Sequence, residues 1–208
     1  GMNRLVFLPV EVGTIYDLLT SIPGVKVMGV VTHFANAEPS YLGDAPASVS
    51  RQLTRMGRLA HSATAACMAN SAAILWHPEV GGDGVRAGVA LYGVSPDSHI
   101  SSEGLGLIPA MTLSAKIIAV QEIAPGEAVG YGSRWIAKRP TRVGIGECGY
   151  ADGYPRSMPD GSPTLVEGAI APLVGAVSMD MLEIDITDIP SAGLGSRVEL
   201  LGRHLPVH

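Results

Sequence analysis

The hydrophobic pattern of this chain changes near its middle. Before about residue 97, apolar runs such as 25–31 alternate with segments whose apolar residues recur at helical spacing, as over 9–19. This βαβα order is typical of a parallel sheet. Beyond residue 108, apolar and polar residues alternate over 113–119 and 182–187, which predicts antiparallel strands with one solvated face. We therefore predict an α/β domain over 1–97 and a mostly antiparallel, all-β domain over 98–208.

Further elements of both domains follow from local patterns. The first domain is predicted to contain a buried strand over 25–31 and a strand over 88–94, and the segment 95–108, rich in Ser, Gly, Pro and Asp, marks the boundary. Helices are predicted over 9–19, over 49–63 and from Asn70 onward. In the second domain, Pro125-Gly126 predicts a turn.

The length of the first domain limits its architecture. A (β/α)8 barrel takes roughly 200 to 250 residues, and this chain offers about 97 before the β-domain begins. Half a barrel leaves two parallel strands with unpaired edges, which invite aggregation unless they are covered. The first domain is thus predicted to be the later part of a larger barrel.

Composition excludes several classes of protein. The 208 residues carry a net charge of -5, and there are only three lysines. This argues against a nucleic-acid surface, which needs clustered Lys and Arg. The two cysteines, Cys67 and Cys148, have no metal-ligand spacing and fit reduced thiols. These cysteines predict a cytoplasmic protein with no metal. Because Gly and polar residues interrupt every apolar stretch, we expect no membrane segment.

Two short motifs, about thirty residues apart, point to a function. Gly149-Tyr150-Ala151-Asp152-Gly153-Tyr154-Pro155 comes first, and Val174-Gly175-Ala176-Val177-Ser178-Met179-Asp180-Met181 follows. Together they resemble the C-terminal domain of the alanine racemases, enzymes that use pyridoxal 5'-phosphate. The segment Gly1-Met2-Asn3-Arg4-Leu5 is similar to another motif of that family, although Gly1-Met2 could instead be a tag remnant before a start methionine.

The resemblance implies a fold and a reaction. The first domain would be a partial (β/α)8 TIM-type barrel that binds pyridoxal 5'-phosphate, followed by the racemase β-domain. The complete protein would interconvert L- and D-alanine and supply D-alanine for the peptidoglycan of the cell wall. It would act as a homodimer, in which the β-domain of one subunit completes the barrel site of the other.

Five residues of the first domain are implicated in cofactor binding by the resemblance. His33 follows a predicted barrel strand, on the catalytic face, and would pack against the cofactor ring; otherwise it is a satisfied core or loop histidine. Ser71, at a helix N-terminus that suits phosphate, would bind the phosphate, although Asn70 or Ser71 could simply cap the helix. Gly88 and Val89 could offer backbone N–H groups to the same phosphate.

Arg86 is implied to face the pyridine nitrogen of the cofactor. An arginine only donates hydrogen bonds and stays charged, so the nitrogen would remain unprotonated. This suits racemisation, because the proton must return to the α-carbon. The alternative is an exposed arginine at a strand entrance. Many family members have His at the position of Cys67, where it supports this arginine, and a thiol cannot supply as strong a hydrogen bond.

Racemisation needs two opposed proton-transfer groups, because a planar carbanion must be reached from both faces. The resemblance assigns one role to Tyr150; otherwise Tyr150 is a strand tyrosine beside the Asp152-Gly153 turn. A phenol has a pKa of about 10, so Tyr150 would need a cationic, enclosed setting. Met179, Asp180 and Arg4 are implied to lie near the substrate carboxylate, although Met179 alone would be read as core.

The second proton-transfer group of the family is the lysine that carries the cofactor, and its motif does not occur here. Lys26 falls in the predicted buried strand, Lys116 in the β-domain and Lys138 in a polar loop. We therefore predict that this chain alone is inactive. A truncated, non-catalytic protein that binds a partner or dimerises is one alternative, and a racemase for another amino acid such as serine is a second.

Overall fold

The computed structural model describes residues 2–39, 48–57 and 65–205. The chain forms two compact units, one extending to Ile108 and the other beginning at Pro109. Among the described residues, no helix has the length and apolar character needed to cross a bilayer.

The first unit is an α/β structure built in the predicted order. Its elements are α1 (Val12–Ser21), β1 (Val30–Val31), α2 (Val49–Gly57), β2 (Ala66–Ala69), α3 (Ser71–Trp76) and β3 (Gly84–Val85). The strands form a sheet in the order β1-β2-β3, and both pairings are parallel. Residues from β2 and from both segments between the strands pack on one core, which includes Phe34, Val49, Met56, Ala69 and Ala72. The parallel βαβα prediction is therefore confirmed.

Two predicted elements of this unit are shorter than expected. The first helix begins at Val12 because residues 8–11 form a separate turn, in which the Leu8 amide donates to Glu11 Oε2 at 2.7 Å. The prediction of a buried strand over 25–31 is wrong. Only Val30–Val31 pairs, on one side, with β2, while Met28 is 67% exposed. Residues 25–29 form no strand, and Lys26 is exposed.

The predicted strand over 88–94 is also wrong, because Val89–Tyr92 is a 3-10 turn. Its two ends explain the difference. The amides of Gly88 and Ala90 both donate to the Ser71 hydroxyl, which bends the chain, and Gly93 ends the turn with φ of 79°. An apolar run between two glycines cannot be distinguished from a strand by its pattern alone. The predicted helix over 49–63 ends at Gly57 in the described residues, and 58–64 lie outside them.

The second unit is an antiparallel β-structure, as predicted. Its strands are β4 (Leu113–Ile123), β5 (Ala128–Val129), β6 (Trp135–Ile136), β7 (Thr141–Gly146), β8 (Pro163–Val166), β9 (Ala169–Pro172), β10 (Leu182–Asp185) and β11 (Arg197–Leu201). Six strands form one sheet in the order β10-β7-β4-β11-β8-β9, and β5 and β6 form a hairpin. An antiparallel bridge between Leu173 and Ile184 joins the chain after β9 to β10, so the two ends of the sheet meet.

The alternation of the second unit is confirmed in its burial. Ala115 and Ile117 face the core while Ser114 and Lys116 are exposed, and Leu182, Ile184 and Ile186 are fully buried. The predicted Pro125-Gly126 turn leads from β4 to β5, with Gly126 at φ of 89°. A smaller cluster of Val129, Val143 and Val174 ties the β5–β6 hairpin to β7. The turns that connect these strands therefore extend from well-packed strands.

Candidate functional site

The predicted cofactor residues of the first unit come together at one edge of its sheet. His33 follows β1, Ser71 follows β2, and Arg86 and Gly88 follow β3. Because the three strands are parallel, their carboxyl ends lie on the same edge, which is where α/β proteins bind ligands.

Arg86 is fixed at this edge by acceptors from the two neighbouring strands. Its Nη1 donates to the carbonyl oxygen of Cys67 at 2.7 Å and to Cys67 Sγ at 3.1 Å. Its Nη2 donates to the Thr32 carbonyl oxygen at 2.6 Å and lies 3.3 Å from His33 Nδ1. The alternative reading of Arg86 as an exposed arginine at a strand entrance is therefore wrong.

His33 is held in its neutral form by this arrangement. Burial lowers the pKa of His33 below its ordinary value of 6.5, and the charges of Arg86 and Arg4 lower it further. Since a guanidinium can only donate, Nδ1 must be the acceptor and Nε2 must carry the proton. The neighbour of Nε2 is the Asn70 amide nitrogen at 3.5 Å, which is also a donor. His33 thus offers a neutral ring. Its Nε2–H group can donate a hydrogen bond, but the Asn70 amide nitrogen cannot accept it.

The sequence left open whether Asn70 or Ser71 caps the helix that follows β2. Asn70 caps α3, because its Oδ1 accepts a hydrogen bond from the Ala73 amide at 3.0 Å. The Ser71 side chain is therefore not needed as a cap. Its buried hydroxyl accepts from the Gly88 amide at 2.9 Å and the Ala90 amide at 3.3 Å. Val89, whose amide lies between these two, is 46% exposed.

Arg4 lies in the same unit, in an exposed position near the chain's beginning. Its charge contributes to the lowered pKa of His33, so the guanidinium is close enough to affect the edge where the cofactor residues meet. No hydrogen bond from Arg4 to the other described residues fixes its position.

In the second unit, the two motifs that are thirty residues apart in sequence pack against each other. The Tyr150 amide donates to the Ser178 carbonyl oxygen at 3.0 Å, and the Ala151 amide donates to that of Met179 at 2.9 Å. Tyr150–Asp152 forms a 3-10 turn, closed by the Asp152 carboxylate, which accepts from the Gly149 amide at 2.9 Å. Tyr150 is therefore in a turn, not in a strand.

The side chains of the Tyr150 turn and of the segment bonded to it are exposed. Tyr150 is 37% exposed, Met179 is 54% exposed, and Asp180 is also exposed. The reading of Met179 as a core residue is therefore wrong. The guanidinium carbon of Arg156 lies 5.4 Å from the centre of the Tyr150 ring. This contact supplies the expected cation, which no sequence pattern indicated, but the enclosure expected for Tyr150 is not present within the second unit.

A second exposed tyrosine borders the same loop and was missed by the sequence analysis. Tyr131, 75% exposed, lies in the turn between β5 and β6, with the positive-φ glycines Gly130 and Gly132 on either side. A Cβ atom on Gly130 would lie 3.1 Å from the Ala176 amide nitrogen, so this turn packs on the segment that Tyr150 also contacts. A signal was present, since glycines flanking an aromatic residue indicate a constrained turn.

The Tyr131 turn is also fixed by an ion pair. Arg134 donates through both Nε and Nη2 to the Asp160 carboxylate at 3.1 Å, and its Nη2 donates to the Gly175 carbonyl oxygen at 2.6 Å. Asp160 in turn accepts from the Gly175 amide at 2.8 Å. Gly175 is thus held at both its N–H and its C=O, which fixes the segment on which the Tyr131 turn packs.

The only lysine of the first unit, Lys26, does not lie at its cofactor edge. Lys26 precedes β1, at the opposite end of that strand, and Lys116 and Lys138 belong to the second unit. All three side chains are exposed.

A parallel α/β unit with an anion-suited edge, followed by an antiparallel unit that presents tyrosines, is the architecture of the racemases that combine a barrel with a β-domain. The family models agree with it. The alanine racemase N-terminal domain matches residues 1–96, and the alanine racemase C-terminal domain matches residues 110–208. The chain belongs to the alanine racemase family.

Individual relatives give the extent of the match. An alanine racemase of Burkholderia mallei is 44% identical over 209 residues, and this alignment covers 100% of the chain but 57% of the relative. The crystal structure of the biosynthetic alanine racemase from Pseudomonas aeruginosa is 45% identical, with a TM-score of 0.87 and the same two coverages. An alanine racemase of Bartonella henselae, with covalently bound pyridoxal phosphate, is 28% identical with a TM-score of 0.78, covering 99% of this chain and 56% of that one. The chain therefore spans little more than half the length of these relatives.

Proposed function

We propose that this chain is the later part of a pyridoxal 5'-phosphate-dependent alanine racemase, which interconverts L- and D-alanine in the cytoplasm and supplies D-alanine for peptidoglycan. The observation that carries this proposal is the Arg86 guanidinium, fixed by Thr32, His33 and Cys67 at the carboxyl edge of a parallel sheet. A cation held so firmly beside a neutral histidine is suited to a ring nitrogen that must remain unprotonated.

The residues at this edge fit the cofactor. The Ser71 hydroxyl proton and the amide of Val89 supply donors for the phosphate, and the Gly88 and Ala90 amides position that hydroxyl. Arg86 would donate toward the pyridine nitrogen, and the neutral His33 ring would pack beside the cofactor ring without adding charge. When bound, the cofactor supplies the electron sink that makes the α-proton of alanine acidic.

Proton transfer on one face of the substrate is assigned to a phenol of the second unit. Tyr150 is the first assignment, because its turn is bonded to Ser178 and Met179 and because Arg156 places a cation over its ring. Tyr131 is the alternative, because it is more exposed and its turn packs on the same locked segment. The proton on the opposite face is moved by a lysine that this chain does not contain.

The remaining predicted residues are assigned to the substrate carboxylate. Arg4, near the cofactor edge, can pair with a carboxylate through its forked guanidinium. The backbone around Met179 and Asp180 contributes donors from the β-domain. We propose that the two groups of residues meet between subunits of a homodimer, so that the β-domain of one subunit completes the site of the other.

A non-catalytic, partner-binding role is the second candidate, and one observation favours it. Lys26, the only lysine of the first unit, is exposed and lies at the opposite end of β1 from the cofactor edge, so the first unit offers no lysine that could carry the cofactor there. A racemase for serine remains a variant of the first proposal.

The test is a chimeric enzyme. The segment of the Pseudomonas aeruginosa racemase that precedes the match is fused before residue 1, and racemisation of L-alanine and L-serine is measured after loading with pyridoxal 5'-phosphate. The proposal predicts alanine racemisation by the chimera and none by the 208-residue chain. A folded chimera that binds the cofactor but racemises neither amino acid would support the non-catalytic role, and preference for serine would reassign the substrate.

A further inference from the structure

The ion pair of Arg134 and Asp160 also holds the backbone of a third residue, Gly175. Asp160 Oδ1 accepts from Arg134 Nη2 at 3.1 Å and from the Gly175 amide at 2.8 Å, while Oδ2 accepts from Arg134 Nε at 3.1 Å. Nη2 donates further to the carbonyl oxygens of Gly175 at 2.6 Å and Met158 at 3.1 Å. An isolated surface ion pair contributes little to stability. This pair, by contrast, closes a ring of hydrogen bonds around Gly175.

The first element that depends on this ring is the turn that carries Tyr131. The stem of that turn pairs only two residues of β5 with two of β6. The turn itself includes Ser133 at φ of 50°, a left-handed conformation that is unfavourable for a residue with a side chain. Arg134 follows Ser133 directly, so its bonds to Asp160 and Gly175 supply an attachment to the β-domain that the short stem lacks.

The second element is the turn that carries Tyr150. Three residues beyond Gly175, the Ser178 carbonyl oxygen accepts from the Tyr150 amide at 3.0 Å. Val177, between them, is only 2% exposed, so the connecting segment is packed along its length. A hold on Gly175 therefore acts on the support of the Tyr150 turn as well as on the Tyr131 turn.

We propose that Asp160 is a positioning residue of the β-domain site, which acts through Arg134 and Gly175 to hold the Tyr131 and Tyr150 turns in one fixed relation. This inference rests on the proposed function, because it assumes that a phenol of the second unit transfers the substrate proton. It holds whichever of the two tyrosines does so. A displacement of about 1 Å in a reacting group can cost as much as about a hundredfold in rate, so Asp160 affects proton transfer without touching the substrate.

The first test measures exchange of the α-proton in deuterium oxide with the chimeric enzyme, separately for L- and D-alanine. Asp160→Ala removes both acceptor oxygens from Arg134 and the acceptor of the Gly175 amide. It should lower exchange about tenfold for the one enantiomer that the acting phenol deprotonates, and leave the other enantiomer and the cofactor affinity within about twofold. A merely structural role would reduce the amount of folded enzyme and lower both rates equally.

Two further variants identify the atoms responsible. Asp160→Asn keeps Oδ1, which meets both Arg134 Nη2 and the Gly175 amide, and should retain the exchange rate within about threefold. Arg134→Lys keeps the charge but loses the planar fork that joins Asp160 to Gly175. It should reproduce the one-sided loss, so it replaces Asp160→Ala if that variant does not fold. A loss in Asp160→Asn as large as in Asp160→Ala would overturn the role given to Oδ1.

A second ion pair of the same unit supplies the matched control. Asp188 accepts from both Nη groups of Arg139 at an exposed position. Asp188→Ala thus removes the same kind of partner from an arginine and should change neither exchange rate. Three results would overturn the positioning role while leaving the racemase function in place: no loss in Asp160→Ala, an equal loss for both enantiomers, or the same one-sided loss in Asp188→Ala.

A second measurement needs neither the cofactor nor the added segment. The 208-residue chain is labelled with 3-fluorotyrosine, and the fluorine NMR signals of Tyr131 and Tyr150 are assigned from their phenylalanine variants. Each should be a single sharp signal that shifts or broadens in Asp160→Ala, while the signals of Tyr16 and Tyr92, in the first unit, stay unchanged. Unchanged signals of Tyr131 and Tyr150 would overturn the inference. An inactive chimera would overturn the proposed function, and this measurement would still decide whether Asp160 holds the two turns.

Discussion

A Cβ atom added to Gly149 would lie 2.2 Å from the carbonyl oxygen of Met179. No real side chain tolerates such a contact, so the chain around Tyr150 can approach the 178–179 segment only because residue 149 is glycine. This close approach brings the two halves of the β-domain site together. The sequence showed the two motifs, but it did not show that one glycine joins them.

Gly149→Ala should therefore separate the two motifs and destabilise the second unit. We expect a loss of about 3 kcal/mol or more in the free energy of unfolding, because the obstacle is backbone and cannot rotate away. Urea unfolding followed by Trp135 fluorescence, in a Trp76→Phe background, measures it. Gly193→Ala is the control, since a Cβ there meets nothing within 4 Å, and it should change stability by less than about 0.5 kcal/mol. Equal effects of the two substitutions would contradict the packing described here.

Tyr154→Phe should leave stability unchanged or raise it by about 1 kcal/mol, because an unmet buried hydroxyl is costly. Tyr154 is 1% exposed, and its hydroxyl has no hydrogen-bond partner among the described residues. Tyr154→Ala, which also removes the ring, should cost about 3 to 5 kcal/mol. Thermal unfolding of the unaltered chain and the two variants separates the contribution of the hydroxyl from that of the ring. A clear loss of stability in the phenylalanine variant would mean that the hydroxyl has a partner such as a bound water.

Glu183→Gln should stabilise the protein at neutral pH but not in acid. Burial raises the pKa of the Glu183 carboxyl above its ordinary value of 4.5, against a smaller opposing effect of its own backbone N–H, and Oε2 has no partner among the described residues. The folded state therefore holds this proton more tightly than the unfolded state. The resulting stability is fully present below pH 4.5 and is lost as pH rises through the raised pKa.

Urea unfolding between pH 4 and pH 8 tests this sign. The stability of Glu183→Gln relative to the unaltered chain should increase with pH and then level off. Glu122→Gln, at an exposed position of β4, is the matched control and should give a flat difference. A difference that decreases with pH would show that the Glu183 carboxylate has a favourable partner when ionised.

The sequence predicted the fold class of both units because each depends on a repeating pattern. The alternation over 113–119 and 182–187 is visible residue by residue, and it directly determines which side chains are buried. The run over 88–94 was misread because its shape depends on a distant hydroxyl, that of Ser71, and not on its own pattern. Burial of 25–31 was misjudged because burial depends on neighbouring strands, which the pattern of one segment does not contain.

The candidate site was predicted less completely than the fold. Motifs identified Tyr150, Met179 and Arg86, but not the residues that contact them and fix their positions. Arg156 and the Arg134–Asp160 pair follow no periodicity, so only the folded chain shows that they support the tyrosine loops. The opposite error was made with Cys67, where a weak acceptor was discounted although the strand places it 3.1 Å from Arg86.

A mixed dimer tests the proposed sharing of sites between subunits. One subunit is the chimera with Tyr150→Phe and the other is the chimera without its cofactor-bearing lysine. If the two groups come from different subunits, one site of the mixed dimer has lost both and the other keeps both. Each mixed dimer should then regain about half of the activity of the unaltered dimer. Activity no higher than that of the two parent variants, in verified mixed dimers, would contradict shared sites.

The most direct test of the account is exchange of the α-proton in deuterium oxide, measured separately for L- and D-alanine with the chimera and its tyrosine variants. Tyr150→Phe keeps the ring and its packing against Arg156 but removes the hydroxyl. It should lower the exchange rate of one enantiomer by more than about a hundredfold. The exchange rate of the other enantiomer and the cofactor affinity should stay unchanged. Tyr131→Phe, measured beside it, should leave both exchange rates within a few-fold. Loss of one direction in Tyr131→Phe but not in Tyr150→Phe would contradict the assignment of Tyr150 and move the proton-transfer role to Tyr131.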